Sequence, residues 1–599
     1  MGDSGRIVLI WHRRDLRLHD NELYAKVALR NTRIIPFYAL DPEDFAPTAS
    51  CTKEHPVVRV GPFAARFLLE SLQALRQALR ALGSDLIVRH GRPREALPGM
   101  VAELRAAGIG DHIEVVWHDE AGVFEAEEAA AVRIALSSLG QTVSCRSRWG
   151  CSLWHPEDLP LYAPPSGIME GQVDLSASSW TAVLKQGVQS FRRKAAAVPL
   201  RQPSHGPKAL PAIDTGILRG TLPILSDLLV PQPLFGLSLE EVSEIYEAAQ
   251  SDFDPRSAHP LEGGEAAALQ HLMSFVAGPA EHCNREGGGD ADGRLECSAK
   301  VSAYLAFGCI SPRHIHAVCC GRSDKKAMWL PENMEMRDFW IFYALAHGRH
   351  LFARDGTGAI SLKAGHWSEH SPSVWRRWAL GRTGLPLLDA AMREMLATGY
   401  TSNRCRQTPV SLLAKDLKMD WRLGAEFYQW LLVDHDVSAN WGNWRYFAGV
   451  GCDPKYRQYK ALSQGLRYDS SAVFVKKWLP QLECLPAPLA HLVPIRACRS
   501  VQADAVPWLE CLVDPLNQMS WHDQQKYLGD KKVSATTFSA EPTVNQRRDR
   551  TRGFPQQKGR GKGKNNQWAS DIMEASTTSE RERASRRWRN KGQVPVGGR

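Results

Sequence analysis

RIVLIWH (6–12) and RIIPFYAL (33–40) are short apolar runs rich in β-branched residues, and DLIVRH (85–90), HIEVVWH (112–118) and TVSCRS (142–147) repeat the pattern. Helical segments lie between them, the clearest being PFAARFLLESLQALRQALRALG (62–83). Its apolar residues Phe67, Leu68, Leu72, Leu75, Leu79 and Leu82 recur every three or four positions, the spacing of one helix face. Strand–helix alternation of this kind predicts an α/β domain over residues 1–150, a doubly wound parallel sheet. No G-x-G-x-x-G follows the first strand, so the domain lacks a dinucleotide fingerprint.

Beyond the sheet, residues 151–260 are Pro-rich and irregular (LPLYAPPSG, VPLRQPSHGPKALPAID) and read as an interdomain connector. From Gly263 the strand signals vanish and patterns such as LPLLDAAMREMLATGY (385–400) and GAEFYQWLLVDHD (424–436) dominate, which predicts an all-helical domain over 261–534. Residues 535–599, with QRRDRTRGFPQQKGRGKGKNNQW at their centre, are a Gly/Arg/Lys-rich tail expected to be disordered.

Composition bounds the function classes. With 23% charged and 43% apolar residues, the 599-residue chain is neither wholly disordered nor collagenous. No apolar run approaches the roughly 18 residues of a membrane span. The formal charge of +9 invites a nucleic-acid reading, but its distribution is uneven. Residues 545–599 hold 15 Lys+Arg against 5 Asp+Glu, a net of +10, and the rest of the chain carries a net of −1. Thirteen Cys without a C-x-x-C pair point to a reduced compartment and mostly buried thiols. The first apolar strand begins at residue 6, which leaves no room for a targeting peptide, so cytoplasm or nucleus is expected over an organelle. Trp (19) outnumbers both Phe (18) and Tyr (13).

Three clusters carry chemistry. Asp434-His435-Asp436 closes an apolar helix, where two carboxylates would be costly if buried unpaired. It is open to three readings: a metal site, a solvated helix end, or a pair of acceptors for a polar ligand with one held by an Arg. The VSANWGNWRYF that follows (437–447) mixes small, amide and aromatic residues, which suits a cavity for a flat aromatic ligand. Ser298-Ala299-Lys300-Val301-Ser302 is either an ordinary helix start or a diphosphate cradle. Asn403-Arg404-Cys405-Arg406-Gln407 sets two Arg in an apolar stretch, with Asp434 a candidate partner for Arg406.

In this order the clusters resemble the photolyase/cryptochrome family, and its DASH-type cryptochromes in particular. IWHRRDLRLHDN (10–21), VGPFAARFLLESLQALR, VRHGRP, RWGCSLWHPEDLP, GGEAAAL and YLAFGCISPR stand in family order. They are joined by RTGLPLLDAAMREMLATGYTSNRCRQ, KDLKMDWRLGAEFYQWLLVDHDVSANWGNWRYFAGVGCDP and YDSSAVFVKKWLPQL, so the resemblance covers about residues 6–485. It implies a U-shaped FAD in the helical domain, with its diphosphate on Ser298, Ala299, Lys300, Val301 and Ser302. Arg406 would pair with Asp434 beside the isoalloxazine, Asp436 and Arg337 would address polar groups of the cofactor, and Asn440 would face flavin N5. Trp444, Trp421 and Trp367 match an indole chain that relays electrons to the photoexcited flavin. The α/β domain would hold an antenna, typically a folate such as 5,10-methenyltetrahydrofolate, with Glu120 as its carboxylate. Asn333, Met336, Asn403, Gln407 and Tyr446 would face the lesion, and Arg404, Lys455 and Arg457 the DNA backbone. No metal is expected.

The implied activity is light-driven splitting of cyclobutane pyrimidine dimers in single-stranded DNA by a monomeric deoxyribodipyrimidine photo-lyase. The rival is a blue-light sensor acting through flavin photoreduction alone. Departures from the family bear on this choice: a usual Glu and Trp of the lesion pocket are Asn333 and Met336, Ala299 replaces a hydroxyl, and the Tyr ahead of the diphosphate loop is not found among HCNREGGGDADG. The tail carries a third, separate reading as a tether to RNA or DNA.

Overall fold

The computed structural model describes residues 6–528 apart from 26–31, 110–111, 160–183, 185, 214–215, 252, 258–259, 279–294, 296–298, 321, 323–324, 356–366, 453–456 and 497–509. Ser298, Lys455 and the tail therefore lie outside the described residues.

Five parallel strands form one sheet: β1 (Ile7–His12), β2 (Arg33–Leu40), β3 (Ile87–His90), β4 (Ile113–Asp119) and β5 (Val143–Trp149), in the order β3-β2-β1-β4-β5. All six residues of β1 are buried, as its unbroken apolar run requires when both faces of a sheet are covered. Ile7, Leu9 and Trp11 face Leu97, Met100 and Leu104 of α2 (Pro93–Ala106) and Val132 and Leu136 of α3 (Val123–Ser137). Val8 and Ile10 face the other way, into a core that holds Phe67, Leu68 and Leu72 of α1 (Pro62–Ala81) and continues into the helical region. Strand order reverses between β1 and β4, and the crevice beyond their carboxyl ends is where such sheets receive ligands.

No strand follows β5 among the described residues. The elements that matter below are α4 (Lys325–His347), α5 (Pro372–Ala379), α6 (Pro386–Thr398), α7 (Asn403–Ser411), α8 (Trp421–Leu431) and α9 (Val437–Ala448). Helices α4, α7 and α8 each pack against α9. The connector is less irregular than its prolines suggest. Leu239–Gln250 is a helix opened by a reciprocal Ser238/Glu241 capping box, and it packs on α1 and α6. The thiols are also less buried than expected: Cys51, Cys320 and Cys484 are exposed, and no described Cys is disulfide-bonded.

The loop after β1, Arg13–Asn21, fastens the sheet to the helices with buried charge. Arg17, 2% exposed, donates to the carbonyls of Gly308 (3.0 Å), Gly150 (3.1 Å) and Asp20 (3.2 Å). Asp20 accepts from Arg313 Nε and Nη2 (2.9 and 3.0 Å), the Ser204 N–H and the Ser311 hydroxyl. Gly308, at φ +66°, has to be glycine, because a Cβ there would lie 2.1 Å from the Arg14 carbonyl oxygen.

Burial would raise the Asp20 carboxyl, but Arg313 and the hydrogen bonds outweigh it and hold it below its ordinary value. A lowered pKa stabilises the fold above the ordinary carboxylate range, and that contribution is lost as pH falls through the folded value. Asp20→Asn, which leaves Arg313 buried without its charge partner, is expected to cost about 3 kcal/mol at neutral pH. The deficit against the parent in thermal unfolding should narrow toward acid pH.

Candidate functional site

The apolar α8 stops at Leu431, and the chain turns through Asp434 and His435 before Asp436 opens α9. Asp436 is an N-cap, its Oδ1 accepting the Ala439 N–H at 2.9 Å. Its Oδ2 lies 3.3 Å from Arg337 Nη2. Desolvation alone would raise this carboxyl, but Arg337, the Ala439 N–H and Arg14 hold it below the usual range. Asp434 Oδ2 accepts from the Ser302 hydroxyl at 2.6 Å and Arg406 Nη2 at 2.9 Å, so the pair expected from sequence is formed. Desolvation works against the Arg406 charge, yet Asp434 drives its pKa above the ordinary value. The two carboxylates are thus each taken by a different arginine.

Asp434 Oδ1 is buried and has no protein partner. Such an atom costs free energy unless a donor meets it, and native buried polar groups are nearly always met. Both ring nitrogens of His435 and the Trp444 indole nitrogen are in the same state. Burial, then Arg14, pushes His435 down to about 3, which keeps it a neutral imidazole.

The described part of the diphosphate stretch, Ala299–Ser302, adjoins this corner. Lys300 is left-handed at φ +45° and Val301 right-handed at φ −83°, ψ −3°. Successive residues of opposite hand turn their N–H groups into one concavity, a nest suited to an anion. Ser302 begins a short helix, but its hydroxyl serves Asp434 and not the helix end, contrary to the ordinary N-cap reading. The Lys300 ammonium and the Arg406 guanidinium both lie over the Tyr400 ring, at 5.5 and 5.2 Å. Tyr400 is not among the candidates the sequence singles out, although it lies within the RTGLPLLDAAMREMLATGYTSNRCRQ stretch. Asn440 donates to the Ala425 carbonyl at 2.9 Å, which locks α9 against α8. Arg337 also donates to the carbonyls of Cys151 and Leu305, so one side chain joins the connector, the 302–306 turn and Asp436.

Trp444 and Trp421 are fully buried, and Trp367 is half-buried. Trp421 donates to the Arg354 carbonyl at 3.0 Å. Gly424 and Gly442 make room for indoles: a Cβ would lie 2.1 Å from Trp444 at Gly424 and 2.4 Å from Trp340 at Gly442.

One turn before Arg337 on α4, Asn333 donates to the Trp329 carbonyl at 3.1 Å, and Met336 is 39% exposed. Tyr446 of α9 lies edge-on to Trp340, and Arg457 stands 5.8 Å above it. Gln407 accepts from Arg404 at 3.2 Å, Arg404 covers the Tyr468 ring, and Asn403 is exposed at the start of α7.

At the sheet, Glu120 follows β4 at the order reversal and lines an open cleft with Asp44, Arg59 and Phe124. Its oxygens already face Arg13 Nε at 3.0 Å and Arg14 Nε at 3.8 Å, so a ligand there would share them. Burial, partly offset by Arg13, raises this carboxyl. Arg14, also unforeseen, donates to the Ala306 and His435 carbonyls at 3.2 Å and ties the cleft to the Asp434–Asp436 corner.

These residues fit FAD. The unpartnered Asp434 Oδ1 and the His435 nitrogens answer the hydrogen-bonding edge of a flat heterocycle, and the nest at Lys300–Val301 answers a diphosphate.

Comparison with known proteins agrees. The family model described as the FAD binding domain of DNA photolyase matches residues 329–531, and that of DNA photolyase matches residues 8–165. The chain is 35% identical over 509 residues to a cryptochrome DASH of Gloeobacter violaceus, covering 83% of this chain and 91% of the relative. It is 34% identical over 499 residues to a cryptochrome DASH of Xenopus laevis, covering 81% and 85%. The crystal structure of a Synechocystis sp. cryptochrome superimposes with a TM-score of 0.71 at 28% identity, over 88% of this chain and all of that one. A class III photolyase of Agrobacterium tumefaciens, at 24% identity and a TM-score of 0.64, shares the fold.

Asp434→Asn keeps the shape of the side chain but removes the charge facing buried Arg406. It should lower the FAD content of the purified protein at least about tenfold, read from the ratio of flavin to protein absorbance.

Proposed function

Because the chain belongs to the photolyase/cryptochrome family, on its cryptochrome DASH branch, we propose that it is a light-driven lyase that splits cyclobutane pyrimidine dimers in single-stranded DNA. The observation that carries this reading is the Asp434–Arg406–Ser302 cluster with its one unpartnered carboxylate oxygen. Bound in reduced form, FAD supplies an excited-state electron that the dimer takes up and returns as its two ring bonds break, so the reaction has no net redox change. The protein's share is binding, orientation and electrostatics.

Asp434 would accept from the cofactor while Arg406 keeps its charge balanced, and the Lys300–Ser302 nest would hold the diphosphate, with Arg337 and Asp436 nearby to address its polar groups. Asn440, fixed by its bond to Ala425, presents a neutral amide. An amide tolerates either protonation state of the group it faces, because it can donate or accept. Trp444, fully buried with its indole nitrogen unpartnered, would lie against the cofactor. A dimer must leave the stack to meet this pocket, and the handing-over face is Asn333, Met336, Asn403, Gln407 and Tyr446. Base–aromatic stacking is worth about 1–3 kcal/mol per base. Tyr446 supplies it here, and Met336 offers a softer apolar contact where an indole is usual. A single-stranded substrate, already unstacked, suits this weaker grip. Arg404, Lys455 and Arg457 serve the phosphates. A folate antenna, 5,10-methenyltetrahydrofolate, completes the reading, with Glu120 on the wall of its cleft.

The test is illumination of the reduced holoprotein with dimer-containing single-stranded oligonucleotide. Light-dependent loss of dimers is expected. Intact dimers beside bound, photoreducible FAD would overturn the lyase reading and leave a sensor.

The tail adds a second contact in this reading. Its net charge of +10 attracts polyanions, whereas the neutral body binds DNA only through a local arrangement of charge. Deleting residues 545–599 should flatten the dependence of log K on log salt by several units, with dimer splitting retained. An unchanged slope would dismiss the tail.

A further inference from the structure

We propose that Trp378 and Trp375 form a second electron route between Trp444 and the protein surface, separate from Trp421 and ending at His55 and His370. The proposal rests on FAD lying against Trp444, as read above.

The ring contacts of Trp444 run to Tyr428 (centroids 5.1 Å apart) and Trp378 (6.3 Å), whereas the ring contact of Trp421 is with Trp441 (5.7 Å). Trp378 is stacked on Trp375 at 5.2 Å and 26°. Both come from α5, three positions apart, so one helix face holds them in register. Trp375 in turn stacks on His55 at 6.2 Å and lies 6.4 Å from His370, and the two imidazoles meet at 5.0 Å. Both Trp side chains are fully buried, and both His are half-buried with His55 Nε2 and both His370 ring nitrogens shielded from solvent, so the series leads from the interior to just beneath the surface. Electron transfer decays steeply with the gap between π systems, and rings at these separations are at or near contact.

The chemistry at each step favours passage of charge. Trp378 donates its indole N–H to the Pro409 carbonyl at 3.0 Å and Trp375 donates to the Phe235 carbonyl at 2.5 Å. Carbonyls are poor bases, so neither oxidised indole loses its proton there, and the hole stays a mobile charge. Tyr428 stacks on Trp378 at 6.2 Å but is no sink. Its hydroxyl has no hydrogen-bond partner to take a proton, and burial raises its pKa. Burial and His370 hold His55 below its ordinary value, so the exit lacks a fixed positive charge on that ring.

The electron count closes with an external thiol. One electron leaves Trp444 for the photoexcited cofactor. Trp378 refills Trp444, Trp375 refills Trp378, and the thiol restores Trp375 at the His55/His370 boundary, giving up one electron to become a thiyl radical and its proton to water; two such radicals couple to a disulfide. Trp378 and Trp375 are relay residues that act through Trp444.

The full-length, FAD-loaded protein would be illuminated with blue light in dithiothreitol, following the loss of oxidised-flavin absorbance for the parent, Trp421→Phe, Trp378→Phe and Trp421→Phe/Trp378→Phe. FAD content and thermal unfolding would be checked for each, so that a packing defect is not mistaken for a lost relay. Trp421→Phe should lower photoreduction but leave it measurable, and the double variant should fall at least about tenfold below Trp421→Phe. A second readout does not depend on turnover: light-driven oxidation in air, mapped by mass spectrometry, should mark Trp375, His55 or His370 and vanish in Trp378→Phe. The second route is overturned if Trp421→Phe alone abolishes photoreduction with FAD retained, or if the double variant matches Trp421→Phe. A parent that binds FAD but shows no photoreduction would instead remove Trp444 as donor, and the route with it.

Discussion

Buried charge in the loop after β1 is the constraint on which the rest of the molecule depends. A guanidinium such as Arg17 is tolerated in a core only when its N–H groups find acceptors, and here the acceptors come from the helical region and the end of β5 as well as its own loop. The same loop gives up its Leu18 and His19 N–H groups to Glu265 and its Leu16 N–H to the Phe307 carbonyl. Removing any one partner strands another, so the sheet and the helices hold one relative placement. Arg14 carries that placement directly to the site through the His435 carbonyl.

At the Asp434–Asp436 corner, stability and function use adjacent carboxylates differently. Asp436 is committed to the fold, since it caps α9 and meets Arg337. Asp434 is half committed, with one oxygen carrying Ser302 and Arg406 and the other buried without a partner. An apolar residue at 434 would leave no orphaned oxygen, but it would strand Arg406. An unmet group of this kind is a cost that a binding site accepts and a purely structural helix corner avoids.

Several features could be read directly from residue order. The apolar runs of the central strands β2, β1 and β4 and the face of α1 point to the parallel sheet, because burial on both faces demands apolar strands and the 62–83 spacing fits one helix period, whereas the edge strands β3 and β5 are only partly buried. Asp434 was also legible as a candidate partner for Arg406, since an always-charged residue in an apolar stretch calls for a carboxylate, and the family resemblance implies the pair. The helix Leu239–Gln250 was missed in a proline-rich span, although the S-x-x-E of its capping box is plain in the sequence. The 298–302 stretch is open in the sequence to a helix start or a diphosphate cradle, and the Ser302 hydroxyl goes to a carboxylate 132 positions away.

What the sequence determined by itself was therefore local and periodic: the fold class, the helical character of the second half, the uneven charge and the residue types at the cofactor corner. Only the tertiary structure decided which oxygen of Asp434 is left unmet, that Tyr400 underlies both Lys300 and Arg406, and that Trp444 meets Trp378. The reason is physical. Periodicity records which side of its own element a residue must bury, and nothing in it specifies which distant side chain arrives on the other side. That choice is made when close-packed helices settle around glycines such as Gly424 and Gly442, whose missing Cβ atoms leave room for particular indoles.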